Sequence, residues 1–363
     1  MNNRQWHLKG SIITENGEKS NLWVHNGIIK YFPEKFTTFK KIEGFVLPGL
    51  VDVHCHLGMD EKGATSIATA QKQAEINLKT GVLAIRDAGS RMNNEWFKTR
   101  VDMPTVLTAG IHIARPGMYK KGCAIEIEDE NDLVKEAVYQ AYRTKDWVKI
   151  VADWIDRSQG CDSNIKPLWS KSVLKDAICA CHEMGVKVMA HAIGLQASED
   201  LIECGVDTIE HGTGLAKEHM QECVKNSIAV TPTMLIRENF KKIALMSNDK
   251  YPFFAKTMMD LYNKRFTQLF EMYDAGVTLL PGSGAGCEIA HGSMPQELKL
   301  WVQSGIPTAD VVDMSFFASR RFLGLPVNDE YENADLVVYS EDPRKNIEVL
   351  NKPKEILLRG KKI

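Results

Sequence analysis

The stretch Val46-Leu47-Pro48-Gly49-Leu50-Val51-Asp52-Val53-His54-Cys55-His56 is an apolar run that ends in two histidines. Its length and its β-branched residues predict a buried strand. His54 and His56 are two residues apart on extended backbone, so their side chains point to the same face. Two imidazoles on one face can hold a divalent metal ion, although a His-x-His pair is a weak signal by itself.

Similar apolar runs recur along the middle of the chain, and amphipathic stretches of helical length lie between most of them. The stretches 65–80, 132–144, 172–184 and 257–274 predict helices. The runs are residues 45–53, 82–86, 104–109, 147–152, 186–190, 206–210, 227–232 and 277–281. Strands that alternate with helices predict an α/β fold, and eight such strands predict a (β/α)8 TIM barrel over residues 45–333. A doubly wound sheet is the alternative, but no glycine-rich phosphate motif follows the first strand.

The two ends of the chain have a different pattern, with short strand-like runs separated by turn residues. Asn26-Gly27 between two such runs is a strong hairpin signal. We therefore expect residues 1–44 and 334–363 to form one small β-sandwich-like domain together.

Composition excludes several classes of function. The chain has 363 residues, 44% hydrophobic residues and a net charge of −2, which gives no basic footprint for nucleic acid. It contains no run of 18 apolar residues, so no membrane partner is expected. Eight scattered cysteines favour reduced thiols and a cytoplasmic location. The apolar stripe of residues 254–270 favours core or interface packing, and we expect a homo-oligomer that acts on a small molecule.

Three further ligand candidates lie in or at the end of predicted strands. Lys149 lies inside the run Trp147–Val151, and alternation predicts that it faces the barrel interior. A buried lysine often has a depressed pKa, and a neutral amine can react with carbon dioxide to give a carbamate that bridges two metal ions. His191 and His211 each end an apolar run, and each precedes small residues. Together with His54 and His56, they predict a metal site.

These motifs resemble the amidohydrolase superfamily, in its binuclear branch with a carboxylated lysine. The resemblance extends over nearly the whole chain, and Thr231-Pro232-Thr233 makes it closest to the prolidase-like amidohydrolases. It is carried by residues 48–56, 81–89, 209–214 and 334–339. The resemblance implies that His54 and His56 hold a buried metal ion, that His191 and His211 hold a more exposed one, and that carboxylated Lys149 bridges them. Zinc suits these ligands best.

The chain departs from this family at the last strand. The family has Gly-Thr/Ser-Asp-Ala-Gly where this sequence has residues 282–286, Gly-Ser-Gly-Ala-Gly. The missing aspartate would ligate the buried metal and act as general base, a function commonly worth ~10²–10⁴-fold in rate. Gly284 can do neither, so we expect a strongly slowed enzyme that still binds metal and substrate.

Three explanations of Gly284 are open. We favour an Asp→Gly change introduced deliberately or incidentally, because every other element is intact. The second is an enzyme with another base, for which Ser283, Cys287 and His291 are weak candidates. The third is a natural pseudoenzyme that binds a metal or ligand without catalysis.

The expected parent reaction is attack of a metal-bridging hydroxide on an amide carbonyl. By the resemblance alone, the substrate is a small carboxylate-bearing molecule such as a dipeptide or an N-acyl amino acid. Arg115 and Tyr119, in the loop after the third strand, are candidate substrate contacts, although solvated loop residues are common there. A lactonase or esterase and a deaminase of the same superfamily are the alternatives.

Overall fold

The computed structural model describes residues 4–35 and 37–363 as a mixed α/β protein. The strands are β1 Trp6–Thr14, β2 Gly17–His25, β3 Ile28–Lys30, β4 Lys40–Pro48, β5 Leu50–Cys55, β6 Met59–Asp60, β7 Gly63–Ala64, β8 Val82–Asp87, β9 Thr105–Thr108, β10 His112–Ala114, β11 Ala124–Glu126, β12 Trp147–Val151, β13 Asp153–Ile155, β14 Ile165–Pro167, β15 Lys187–Ala192, β16 Thr208–His211, β17 Ala229–Thr231, β18 Leu336–Tyr339, β19 Glu355–Leu358 and β20 Lys361–Lys362.

The helices lie mostly between the parallel strands. The α-helices are α1 Ile67–Lys79, α2 Asp132–Thr144, α3 Lys171–Glu183, α4 Leu195–Cys204, α5 Lys217–Lys225, α6 Met234–Glu238, α7 Phe240–Ser247, α8 Pro252–Asn263, α9 Arg265–Asp274, α10 Met294–Gln303, α11 Thr308–Asp313 and α12 Ser319–Leu323. In the described part of the chain, none of them combines the length and apolar character needed to cross a membrane.

Both ends of the chain contribute to one seven-stranded sheet, in the order β20-β19-β18-β4-β1-β2-β3. Strand β4 pairs in parallel with β1 and antiparallel with β18, and so joins the two ends. Alternate residues of these strands bury one face, with Leu8, Val24 and Leu336 among them. The hydrogen bonds join these strands into one continuous sheet, because β4 has a partner on each edge. The sandwich-like layering of this sheet stays a prediction.

The middle of the chain forms two parallel sheets, β5-β8-β9 and β11-β10-β12-β15-β16-β17. The apolar run 45–53 divides at Gly49, where a Cβ atom would overlap Leu83. Its first part lies in β4 and its second part in β5. The eighth run, 277–281, makes isolated parallel bridges instead of a strand: Leu279 pairs with Val230 of β17, and Val53 donates to the Pro281 carbonyl. The described residues thus bring eight segments together without a continuous closed ladder.

The predicted helices agree with the structure where a strong apolar stripe lies between two strands. The helix predicted at residues 132–144 has those bounds, and the stretch 257–274 divides into α8 and α9 at Lys264. The eight cysteines all lie within the described ranges and are free thiols.

Candidate metal centre

The five predicted ligands lie together at the carboxyl ends of neighbouring parallel strands. His54 is in β5 and His56 follows it, while Lys149, His191 and His211 are in β12, β15 and β16. The ring centre of His54 is 5.0 Å from that of His56 and 5.1 Å from that of His211, and the His191 and His211 rings are 4.6 Å apart. The parallel pairing of β12, β15 and β16 sets this arrangement.

A buried ion pair orients His54. Its Nδ1 donates to Glu210, and the same carboxylate accepts from Arg86 at 2.8 Å and from the Thr208 hydroxyl at 2.6 Å. Arg86 is fully buried and also donates to the Val53 carbonyl. A histidine whose Nδ1–H binds a carboxylate presents its Nε2 lone pair to a metal. The network therefore leaves Nε2 as the free ring nitrogen of His54.

Backbone and hydroxyl groups orient two more imidazoles in the same way. Nδ1 of His56 donates to the Gly89 carbonyl at 2.9 Å. Nδ1 of His211 is 2.7 Å from the Thr233 hydroxyl, which itself donates to the Pro232 carbonyl and so accepts from His211. In both residues, Nε2 is the nitrogen left for a ligand.

Lys149 and His191 are buried without a hydrogen-bond partner. Neither Nζ of Lys149 nor either ring nitrogen of His191 is bonded within the described ranges, although Lys149 is fully buried and His191 only 4% exposed. Buried polar atoms are nearly always bonded, so groups like these require an explanation. A metal ligand set supplies one.

Burial also favours the protonation states that metal binding requires. It lowers the pKa of Lys149 to about 8, with Glu210 opposing the shift and Arg86 adding to it. Burial likewise lowers the pKa of His56 to about 3 and holds the pKa of His54, His191 and His211 well below the ordinary value. The imidazoles are thus held neutral, which is their ligand form.

The residue types fit a metal centre, but their side chains do not converge on one metal position. Among the residues described, no three His, Cys, Asp or Glu side chains are already arranged to hold a metal ion. Lysine is outside those four residue types. A carbamate on Lys149 would add two oxygen donors to the four histidines.

The histidines open into a cavity of about 540 Å³. One wall is apolar and comes mainly from α6, α7 and α8; it consists of Ile236, Phe240, Ile243, Tyr251, Phe254 and Met258. Lys120, Lys121 and Arg157 supply positive charge to the same cavity. Such a cavity can receive a molecule with an apolar part and an anionic group.

The structure places the two predicted substrate contacts differently. Tyr119 lines the cavity, and its ring centre is 5.6 Å from that of His191 and 5.0 Å from that of Trp154. Arg115 lines a separate small cavity of about 230 Å³ and lies over the Trp169 ring. The substrate roles of both residues stay predictions.

Gly284 lines the main cavity in a left-handed conformation, with φ of +68°. Its amide donates to the His54 carbonyl at 2.7 Å, so the backbone is anchored beside the ligands. A Cβ atom here would lie 2.5 Å from Cγ1 of Ile236. In this conformation an aspartate at position 284 would require Ile236 to move.

Two residues that the sequence analysis did not single out also belong to this region. His112 is fully buried, with its ring stacked 5.1 Å from His56 and neither nitrogen bonded among the described residues. Asp153 is fully buried and lines the main cavity beside His191. Both follow short apolar runs, which is the signal that could have identified them.

Comparisons with known proteins agree with this architecture. A family model described as the Amidohydrolase family matches residues 45–361. An uncharacterised protein of Mycobacterium tuberculosis (strain ATCC 25618 / H37Rv) is 37% identical over 340 residues, which cover 94% of this chain and 91% of that protein.

Solved structures share the fold at lower sequence identity. A Xaa-Pro dipeptidase with bound methionine in its active site has a TM-score of 0.83 and 20% identity, and the match covers 99% of both chains. A prolidase complexed with N-methylphosphonate-L-proline has a TM-score of 0.82 and 18% identity, again over 99% of both chains. These prolidase-like neighbours show a common fold.

Proposed function

Because the chain belongs to the amidohydrolase family, we propose that it is a metal-dependent hydrolase of an amide (C–N) bond. The single observation that carries this proposal is Lys149, whose buried amine lies near four histidines and has no hydrogen-bond partner within residues 4–35 and 37–363. A buried ammonium would repel a metal ion, whereas a carbamate would attract one. We further propose that the two parallel sheets and the segment 277–281 are parts of one (β/α)8 barrel.

Lys149 has the properties needed for carboxylation. Its lowered pKa keeps a substantial neutral fraction near pH 8, and the neutral amine adds to carbon dioxide to give a carbamate and a proton. The carbamate would lie among His54, His56, His191 and His211. When bound, two divalent ions, most suitably zinc, would lower the pKa of a water molecule and polarise a substrate carbonyl.

The cavity supports a small substrate with an apolar part and a carboxylate. The wall formed by α6–α8 would bury the apolar part, while Lys120, Lys121 and Arg157 would attract the carboxylate. Apolar dipeptides and N-acyl amino acids have this chemistry, and dipeptidases are among the proteins that share the fold. The expected homo-oligomer and cytoplasmic location stay predictions.

The test is hydrolysis of a panel of dipeptides, N-acyl amino acids, lactones and esters by protein loaded with zinc in bicarbonate buffer. We expect slow amide hydrolysis, because position 284 lacks a general base. Lys149→Ala should lose both the hydrolysis and most of the bound zinc. Lys187→Ala is the matched control, since Lys187 is exposed on the neighbouring strand β15.

The same experiment separates the proposed function from the pseudoenzyme and from the lactonase or esterase alternative. A protein that takes up no zinc and hydrolyses nothing contradicts the proposed function. Zinc uptake without hydrolysis supports the pseudoenzyme, the alternative that Gly284 specifically favours. Preferential cleavage of lactones or esters supports the lactonase or esterase alternative.

A further inference from the structure

Asp153 is a buried carboxylate beside His191, on a different chain segment from Gly284. It begins β13, four residues after Lys149, and it lines the cavity together with His54, His56, His191 and His211. Gly284, on the opposite chain segment, contributes no donor atom from a side chain. The cavity therefore contains one fully buried carboxylate outside the five predicted ligands.

The geometry directs this carboxylate toward His191. Oδ1 of Asp153 lies 3.6 Å from Nε2 of His191, too long for a hydrogen bond. Carboxylate oxygens and imidazole nitrogens are both good donors to zinc. His191 is otherwise unbonded within the described ranges, so both groups have lone pairs available on the same side of the cavity.

The charge balance points to a cation at this place. Asp153 is fully buried, and no lysine or arginine in the described part of the chain forms an ion pair with it. A buried carboxylate is costly unless it is paired or coordinates a metal.

Asp153 also has a structural role, which the test has to distinguish from metal binding. Oδ2 accepts from the amides of Ile193 at 2.9 Å and of Gly194 at 2.5 Å, just before helix α4. This interaction connects the loops after β12 and β15. One oxygen suffices for both amides, and Oδ1 makes only a longer contact of 3.1 Å with Ile193.

We propose that Asp153 is a metal ligand, which binds the ion held by His191 and His211 and gives the centre a carboxylate from β13, in a site where position 284 gives none. This proposal rests on the proposed metal-dependent function. It predicts that the negative charge of Asp153, and not only its hydrogen bonds, determines metal affinity.

The test compares zinc binding by the wild-type protein and by Asp153→Asn, with zinc per chain from elemental analysis and affinity from competition with a chelating dye. Asparagine keeps one oxygen for the two amides and removes the charge. We expect at least a tenfold loss of affinity for one zinc ion in Asp153→Asn. Asp153→Glu, which restores a carboxylate, should recover part of it.

Asp156→Asn is the matched control, because Asp156 lies on the same loop but contacts Ser158 and Lys166 outside the main cavity. Its zinc binding should equal that of the wild type. Wild-type protein without zinc binding would overturn both the proposed function and this inference. Zinc binding by wild type that Asp153→Asn fully retains would overturn this inference alone.

If Asp153→Asn fails to fold, the absorption of cobalt-loaded protein decides the question. The ligand-field spectrum of the wild type should differ from that of Asp153→Ser, in which no carboxylate remains at this position to ligate cobalt. Identical cobalt spectra would contradict ligation by Asp153.

Discussion

At the scale of single residues, the backbone at Gly284 limits what can be restored by substitution. Its left-handed φ costs an L-residue about 1–2 kcal/mol, and overpacking typically adds about 1–3 kcal/mol. We therefore expect Gly284→Asp to lower the free energy of unfolding by about 2–5 kcal/mol. Urea denaturation of the variant and the wild type measures this loss.

The control for Gly284→Asp is a double-mutant cycle with Ile236→Ala, which removes the two atoms nearest to a new Cβ. The loss of unfolding free energy in the double variant should be smaller than the sum of the two single losses by about 0.5–3 kcal/mol. Should Gly284→Asp be as stable as the wild type and hydrolyse amides rapidly, the site would be suited to aspartate. That result would support an introduced Asp→Gly change.

Several residues of the candidate site could be predicted from the sequence because their signal is local. Lys149, His191 and His211 each lie in or end an apolar run. Alternation predicts that Lys149 faces the barrel interior, and the ends of barrel strands meet at one face, which predicts that the histidines lie near it. Asp153 gives a weaker local signal. Its significance depends on its distance from His191, which only the packing of β12 against β15 determines.

At the scale of elements, helices α6–α8 form the apolar wall that would select the substrate. Phe254 of α8 lines the cavity, whereas its neighbour Phe253 is 56% exposed. Burying a large apolar side chain is worth about 1.5–3 kcal/mol, which corresponds to roughly 10–150-fold in kcat/KM. We expect Phe254→Ala to lose roughly this factor for substrates with a large apolar group.

Phe253→Ala is the control for this wall, because it deletes a solvent-exposed phenyl ring of the same helix. Its kcat/KM should stay within about twofold of the wild type. Steady-state kinetics with one bulky and one alanine-containing substrate separates selectivity from general damage. Equal losses for both substrates in Phe254→Ala would contradict a selective role of the wall.

Element boundaries were less predictable than element types. The stretch 257–274 has one continuous apolar stripe, yet the chain starts a new helix after Lys264, because α8 and α9 pack against different partners. The run 45–53 likewise divides at Gly49, where β4 leaves one sheet and β5 enters another. Periodicity reports burial, and it does not report which sheet buries the residue.

At the scale of the whole molecule, the predicted α/β character is confirmed. Which strands pair with each other, however, could not be predicted from the sequence pattern. Strand β4 joins the two ends of the chain by pairing with β1 and β18. Segment 277–281 contacts the neighbouring strands through one isolated bridge, between Leu279 and Val230, and through the hydrogen bond from Val53 to Pro281. Such long-range hydrogen bonds have no local sequence signal, so a strand count could not predict them.

The candidate ligands come from four strands that are far apart in the sequence, so metal binding should stabilise the whole parallel-sheet region. An ion that binds only the folded state stabilises it by about 2.7 kcal/mol at a concentration of 100 Kd. We expect zinc to raise the Tm of wild-type protein by a few degrees, and chelation to reverse the rise. Magnesium and calcium should have little effect, because they prefer oxygen ligands.

Thermal unfolding of His191→Ala is the control, since it removes an imidazole that is unbonded within the described ranges and should abolish most of the zinc-dependent shift. A zinc shift of equal size in His191→Ala would place the stabilising ion elsewhere in the molecule.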